Sequence, residues 1–384
     1  MGEYHVRFFA LGVLVTIALS SLLFPQDSRS NGSSLARLAI YYGYPSLVND
    51  SRGDVEKAGG VFSGYDVVVL GDGLEFPDKQ AGRYPEGDPG EHQKVLQMIA
   101  SVRRRNPGTR FFGYVCLGEI PSRTREIASF TTQELEARIR LWKQMGVAGI
   151  FLDEAGYDFP VVTRKRQNTI VRIIHELGLS AFVNAYFVDH LFSLEDNLPY
   201  ANGPDKNPEH LPSLLDHRDF FLLESFQVKN GAYESVAAWQ ARVNQALAYR
   251  TRYGARIFST TTIAVNEPFD AGMFSYAWWT AQLYGLDGFS WGEPNFAASS
   301  NALPDRRCRL ENTLLPGLPA PSPVWLDRTR FWKKAGHSAV VVDTGDHSVH
   351  IVAFASSAGS PDIEELLRSP QTRYPLIACG GVHE

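Results

Sequence analysis

Cysteine is scarce in this chain: three in 384 residues, Cys116, Cys308 and Cys379, far apart in the sequence. None has the close spacing of a metal-ligating pair, and at most one disulfide can form. Cys116 sits inside an apolar run, so Cys308 with Cys379 is the expected bridge. Positive charge is short as well. The formal net charge is −5, which leaves no basic field to attract nucleic acid. No internal repeat of short period is present.

Residues 1–30 stand apart from the rest. Arg7 is followed by an apolar segment from Phe8 to Phe24 with no amphipathic pattern, which reads as a secretory signal or an uncleaved membrane anchor. The segment is short against the ~20 apolar residues of a spanning helix, and Ala18-Leu19-Ser20 offers small residues for cleavage. Export to the medium or the cell envelope is therefore favoured over anchoring.

The remainder of the chain alternates strand-like and helix-length segments, the signature of a parallel α/β architecture. The strand candidates are Arg37 to Tyr44, Asp66 to Leu70, Arg110 to Leu117, Ala148 to Asp153, Ser180 to Tyr186, Phe220 to Glu224, Arg256 to Thr261 and Gly288 to Trp291. Helical segments lie between them: Glu91 to Arg105, Thr132 to Met145, Arg164 to Leu177, Tyr233 to Tyr253 and Phe274 to Tyr284. Eight such units predict a (β/α)8 TIM barrel over 36–314, ahead of a doubly wound open sheet. The proline-rich stretch 315–323 reads as a linker. Beyond it, His337 to Val342 and Val349 to Phe354 predict a small C-terminal β-hairpin appendage within 324–384, which must pack on the barrel because two strands alone do not fold.

Barrels assemble their chemistry at the C-terminal ends of the strands. There the sequence offers Tyr42 and Tyr44, Asp72, Tyr114 and Glu119, then Asp153, Glu154 and Asp158, followed by Asn184 and Tyr186, Glu224 and Gln227, Thr261 and Thr262, and finally Trp291 and Glu293. Acids and aromatics dominate. No histidine ends a strand, so the His-rich metal sites of barrel amidohydrolases are not expected. No glycine-rich phosphate loop follows the late strands either. Neither a metal nor an organic cofactor is called for.

Two carboxylates facing an aromatic-lined groove are what glycoside hydrolysis needs, one to protonate the leaving oxygen and one to attack or to activate water. Asp153 and Glu224 each end an apolar strand, on strands separated by one other, and are the expected catalytic pair. Glu154 follows Asp153 and should face away if strand alternation persists; it either bends inward to support the site or caps the next helix. Asp158 suits a helix cap near Pro160 as well as it suits catalysis. Asp72 reads first as a turn acid in Gly71-Asp72-Gly73. A salt bridge to a neighbouring helix is the competing reading of Glu224. Tyr42, Tyr44, Asp72, Tyr114, Glu154, Asn184, Tyr186, Trp291 and Glu293 are the expected substrate-binding residues, with Trp291 as a sugar-stacking platform. The segment from Asp189 to Arg218 is expected to form a loop over the groove.

The motifs Ala39-Ile40-Tyr41-Tyr42-Gly43-Tyr44-Pro45, Tyr65-Asp66-Val67-Val68-Val69-Leu70-Gly71, Gly113-Tyr114-Val115 and, above all, Gly146-Val147-Ala148-Gly149-Ile150-Phe151-Leu152-Asp153-Glu154 resemble the barrel of the endo-α-1,4-polygalactosaminidase and spherulin-4-like glycoside hydrolases. The resemblance runs from about Ala39 to Trp291. It implies an exported enzyme that cuts galactosamine-containing polysaccharide within the chain, with Asp153 as nucleophile and Glu224 as acid/base. The sequence departs from the spherulin-4 type at Gly43, and nothing after Pro323 has a counterpart there. The competing class is a non-catalytic carbohydrate-binding barrel, which acids turned apart or locked by an arginine would favour.

Overall fold

The computed structural model describes residues 35–71, 73–76, 89–118, 129–264, 267–293, 301–308, 322–335 and 338–353. Eight strands close on themselves: β1 (Ala36–Tyr41), β2 (Val67–Leu70), β3 (Arg110–Cys116), β4 (Gly149–Asp153), β5 (Ser180–Asn184), β6 (Phe220–Leu223), β7 (Arg256–Thr260) and β8 (Gly288–Ser290). They are hydrogen-bonded in chain order, every neighbouring pair parallel, and β8 pairs with β1 to complete the barrel. The expected (β/α)8 TIM barrel is what forms.

Helices α1 (Val55–Phe62), α2 (Pro89–Arg105), α3 (Thr132–Gln144), α4 (Arg164–Glu176), α5 (Asp189–Phe192), α6 (Val236–Tyr253) and α7 (Ala271–Leu283) pack around it. Their starts are written in the sequence. Thr131 and Glu134 make a capping box on α3, and Thr163 and Ser235 accept backbone N–H groups at the starts of α4 and α6. Helix α6 begins three residues later than the periodicity predicts, because Ala232–Tyr233 pairs with Val228–Lys229 in a short hairpin. Among the described residues no helix is long and apolar enough to cross a membrane; the apolar segment from Phe8 to Phe24 lies outside them.

Strand alternation sorts the side chains into two layers. Outward residues pack against the helices. Inward residues form a separate core of Leu38, Ile40, Val67, Val69, Phe112, Phe151, Phe182, Phe220, Leu222 and Phe258. Five phenylalanines crowd this interior in edge-on and tilted contacts, with Phe112 and Phe220 5.1 Å apart and Phe151 and Phe182 5.2 Å apart. Glycine makes the room: a Cβ on Gly149 would meet the Phe112 ring at 2.4 Å, and one on Gly288 the Phe258 ring at 2.1 Å. With its middle filled by rings, the barrel interior holds polar groups at its two ends, Arg110 and Arg256 lying over the Phe220 ring at the lower one.

The appendage is larger than a hairpin. Strands β9 (Val324–Trp325), β10 (Arg330–Ala335), β11 (Ser338–Asp343) and β12 (Ser348–Ala353) form one antiparallel sheet in that order. The expected hairpin is β11 and β12. Strand β10 escapes a sequence reading because Lys333 and Lys334 follow its two aromatics, although Phe331 is fully buried. The sheet is fastened to the barrel by rings: Phe331 lies 6.0 Å from Trp239 and 5.7 Å from Tyr284, and His347 stacks on Tyr233 at 3.6 Å. Most of the proline-rich stretch 315–323, and the tail after Ala353, lie outside the described residues. Cys308 is disulfide-bonded and Cys116 is a buried thiol outside any disulfide; Cys379 is outside the described residues.

Because Phe331 is the centre of this seam, Phe331→Ala is expected to lower the free energy of unfolding by about 3–5 kcal/mol. Chemical denaturation followed by tryptophan fluorescence measures it.

Candidate active site

The same alternation that fills the floor with phenylalanine places the next inward residue of each strand at the rim. Tyr42 follows Leu38 and Ile40, Tyr114 follows Phe112, Asp153 follows Phe151, Asn184 follows Phe182, and Glu224 follows Phe220 and Leu222. In the β5–β6 register Asn184 is level with Leu222, so Glu224 stands two residues higher and leans over it.

Asn184 lies between the two acids. Its Nδ2 donates to Asp153 Oδ1 at 2.9 Å and to Glu224 Oε2 at 2.8 Å. Since both oxygens are held on one nitrogen, they are no farther apart than the two bonds laid end to end, about 5.7 Å. The amide gives both N–H groups to this bridge.

Asp153 is held further by the backbone N–H of Glu154 at 2.9 Å and by a side-chain hydrogen bond from Tyr114. Burial nonetheless raises its carboxyl above the ordinary range, the bonds from Asn184, Glu154 and Tyr114 opposing the shift. Glu224 is raised too, first by burial and then by the charge of Asp153, against the Asn184 bond and the more distant Arg242 and Lys229. Arg242 does not lock the Glu224 carboxyl. It donates to the Glu224 carbonyl oxygen and pairs with Glu234 at 3.1 Å. Among the described residues neither acid is ion-paired.

Both acids are followed by a residue in the left-handed region, Glu154 at φ 53° and Ser225 at φ 53°. This turn breaks strand alternation at the rim. Glu154 therefore lines the cleft beside Asp153 instead of facing away, and its Oε2 accepts from Cys116 Sγ at 3.2 Å. It is not a helix cap, and neither is Asp158, since Thr163 caps α4. Asp158 lines the cleft, with Oδ1 3.5 Å from His190 Nδ1.

The cleft has a volume of about 540 Å³ and brings together Tyr42, Asp153, Glu154, Asn184, Tyr186 and Glu224 of the expected set. Tyr42 stands edge-on to Tyr114 at 5.4 Å. Tyr186 carries two cations on its ring, Lys229 and Arg242, each 4.5 Å from the centroid. Tyr114 does not line the cleft but hydrogen-bonds Asp153, and three other expected residues lie elsewhere. Tyr44 does not line the cleft; its backbone N–H donates to Asn301 Oδ1 at 3.0 Å at the start of a 3-10 turn. Trp291 is one residue past the inward Ser290, so it points outward and packs on Phe269 and Phe274 at 5.5 and 5.7 Å. It is core, not a sugar platform. Glu293 pairs with Arg306 at 2.8 Å on that same side of the barrel. Asp72 and Glu119 lie outside the described residues.

Beyond the expected catalytic and binding set, the charged side chains Asp158 and Lys229 and the rings of Phe159 and Phe187 also line the cleft, over a floor that includes Ile40, Phe151 and Leu222. Asp158 is visible in the sequence as an acid but carries a competing cap signal. Lys229 reaches the cleft on the short hairpin after β6, which no strand-length pattern announces.

No family model matches the sequence, and no curated protein matches it. Among solved structures, the chain is similar to an α-amylase from Geobacillus thermoleovorans in complex with acarbose, at 11% identity and TM-score 0.45 over 83% of this chain and 86% of that one. It is similar at 12% identity and TM-score 0.44 to the cyclic α-maltosyl-(1→6)-maltose hydrolase from Arthrobacter globiformis, over 80% and 90% of the two chains. CpGH84B is matched at 11% identity and TM-score 0.37 over 69% of this chain, which spans 46% of that one.

Proposed function

We propose that this chain is a glycoside hydrolase that cuts within a galactosamine- or N-acetylgalactosamine-containing exopolysaccharide, with retention of configuration, in the medium or the cell envelope. The observation that carries the reading is the shared Asn184 amide, which keeps the facing oxygens of Asp153 and Glu224 within about 5.7 Å. Retaining enzymes hold their carboxyls roughly 5–5.5 Å apart, whereas inverting ones need roughly 6.5–9.5 Å to seat a water between them. The spacing supports double displacement.

The environments support the division of labour. Three hydrogen bonds stabilise the ionised form of Asp153 and aim it, as a nucleophile requires. Glu224 is raised by burial and by the neighbouring negative charge, the direction that suits a group giving its proton to the leaving oxygen. In the first step an Asp153 oxygen bonds to the anomeric carbon while the glycosidic bond breaks, and the Glu224 proton goes to the departing oxygen. In the second, Glu224 takes a proton from water, which cleaves the glycosyl ester and frees Asp153. Glu154 and Asp158 add negative charge to the cleft, which suits a substrate carrying protonated amines. A non-catalytic binding barrel would tolerate acids turned apart or locked by an arginine; here the acids face one amide.

Depolymerisation of galactosamine-rich, N-acetylgalactosamine-rich and neutral polysaccharides tests the reading. Cleavage of an amino-sugar polymer is expected, and Glu224→Gln should lower kcat by about 10²- to 10⁴-fold, with Asp153→Asn at least as damaging. Near-full turnover in either variant, or no cleavage of any amino-sugar polymer, overturns it.

The pH dependence carries a sign. Activity needs Asp153 ionised and Glu224 protonated, so it falls on the acid side as Asp153 takes a proton and on the alkaline side as Glu224 loses one. Both groups are raised, placing both limbs above the ordinary carboxylate range. Asn184→Ala removes a bond that lowers both, so its kcat/KM profile is expected to move to higher pH as well as drop in height. A lowered but unmoved profile contradicts the shared-amide account.

A further inference from the structure

Beyond the acids, two aromatic rings line the cleft and a third stacks on one of them. Tyr186 and Phe187 follow Asn184 by two and three residues, and both line the cleft. Phe187 stands edge-on to Tyr186 at 5.0 Å and stacks on Tyr200, with centroids 4.5 Å apart and ring planes 7° from parallel. Tyr200 is 73% exposed, more than any other large apolar side chain among the described residues. With one face on Phe187 and so much surface open, its other face looks into solvent.

Folding alone gives no reason for this arrangement. A ring left so exposed gains little from burial, and Tyr200 has its backbone in the left-handed region at φ 63°, which bulky residues rarely adopt. The conformation is imposed from both sides. His190 Nε2 donates to the Pro199 carbonyl at 2.9 Å, and the Asn202 N–H donates to the Tyr157 carbonyl at 2.7 Å. His190 Nδ1 accepts the Tyr157 N–H at 3.0 Å, which leaves Nε2 as the protonated nitrogen and fixes the ring. Buried Tyr157 and His190, themselves stacked at 5.2 Å, thus present an exposed tyrosine at a set angle beside the cleft. Strain held in place by surrounding bonds points to a functional demand.

We infer that Tyr200, backed by Phe187, is a platform for a pyranose ring of the polysaccharide, at a subsite two ring contacts outward from Tyr186. This rests on the polysaccharide substrate proposed above. A pyranose has one face of C–H groups, which an open aromatic face accepts, while Phe187 behind the tyrosine holds the ring still and keeps the entropy cost of binding low. The platform belongs to the Asp189 to Arg218 segment, so it gives that segment a definite role in chain-length preference.

The test separates binding from cleavage. On a Glu224→Gln background, affinity for galactosamine-rich, N-acetylgalactosamine-rich and neutral polysaccharides is measured by affinity electrophoresis, alongside disaccharides of the same sugars. Tyr200→Ala is expected to weaken binding of the preferred polymer by roughly 3- to 10-fold, with a smaller effect on the disaccharide, while Tyr200→Trp retains affinity. Tyr200→Asn, which suits the left-handed backbone, should behave as Tyr200→Ala and guards against a folding artefact. Unchanged polymer affinity in Tyr200→Asn overturns the platform, as does failure of every polymer to bind. A change in sedimentation coefficient on removing the ring also overturns it, marking Tyr200 as a contact between copies of the chain. Binding that depends on Tyr200 in a protein whose unmutated form cleaves no polymer overturns the hydrolase reading and leaves the platform standing.

Discussion

One amide nitrogen, Asn184 Nδ2, joins the carboxyls of strands four and six, and the spacing of the site depends on it. The bridge is possible because β5 lies between β4 and β6 and because Asn184 is the inward residue directly above Phe182. Shift β5 by one residue and the amide faces the helices, leaving two acids with nothing between them.

Burial acts on this pair in two directions. It raises both acids, the direction that the general-acid role proposed for Glu224 calls for. It also makes their ionisation costly to the fold. A carboxyl raised in the folded state contributes stability that is fully present below its unfolded pKa and is lost as pH rises through the higher folded value. The three hydrogen bonds to Asp153 limit that loss where an ionised nucleophile is required. Burial is the largest cause of both shifts.

Much of this was legible in the sequence. All eight strands carry their own apolar runs, and alternation along Phe151, Asp153 and along Phe220, Leu222, Glu224 marks the acids as inward once a barrel is assumed. Legibility failed where alternation stops. Glu154 turns into the cleft only because its backbone goes left-handed, and a Tyr at φ 63° such as Tyr200 has no sequence signature. Trp291 failed for the opposite reason: alternation persists there, and counting from Gly288 and Ser290 puts it outside, although the pull of an aromatic at a strand end is strong. Asp158 and Lys229 reach the cleft through loop geometry set by distant contacts.

The spacing imposed by Asn184 has a stereochemical consequence that can be read directly. Time-resolved proton NMR of the first-formed reducing ends, recorded before mutarotation on an amino-sugar polymer under the cleavage proposed above, gives the anomer at the cut. Retention of the substrate's configuration is expected from two acids held on one amide; an inverted first product contradicts it.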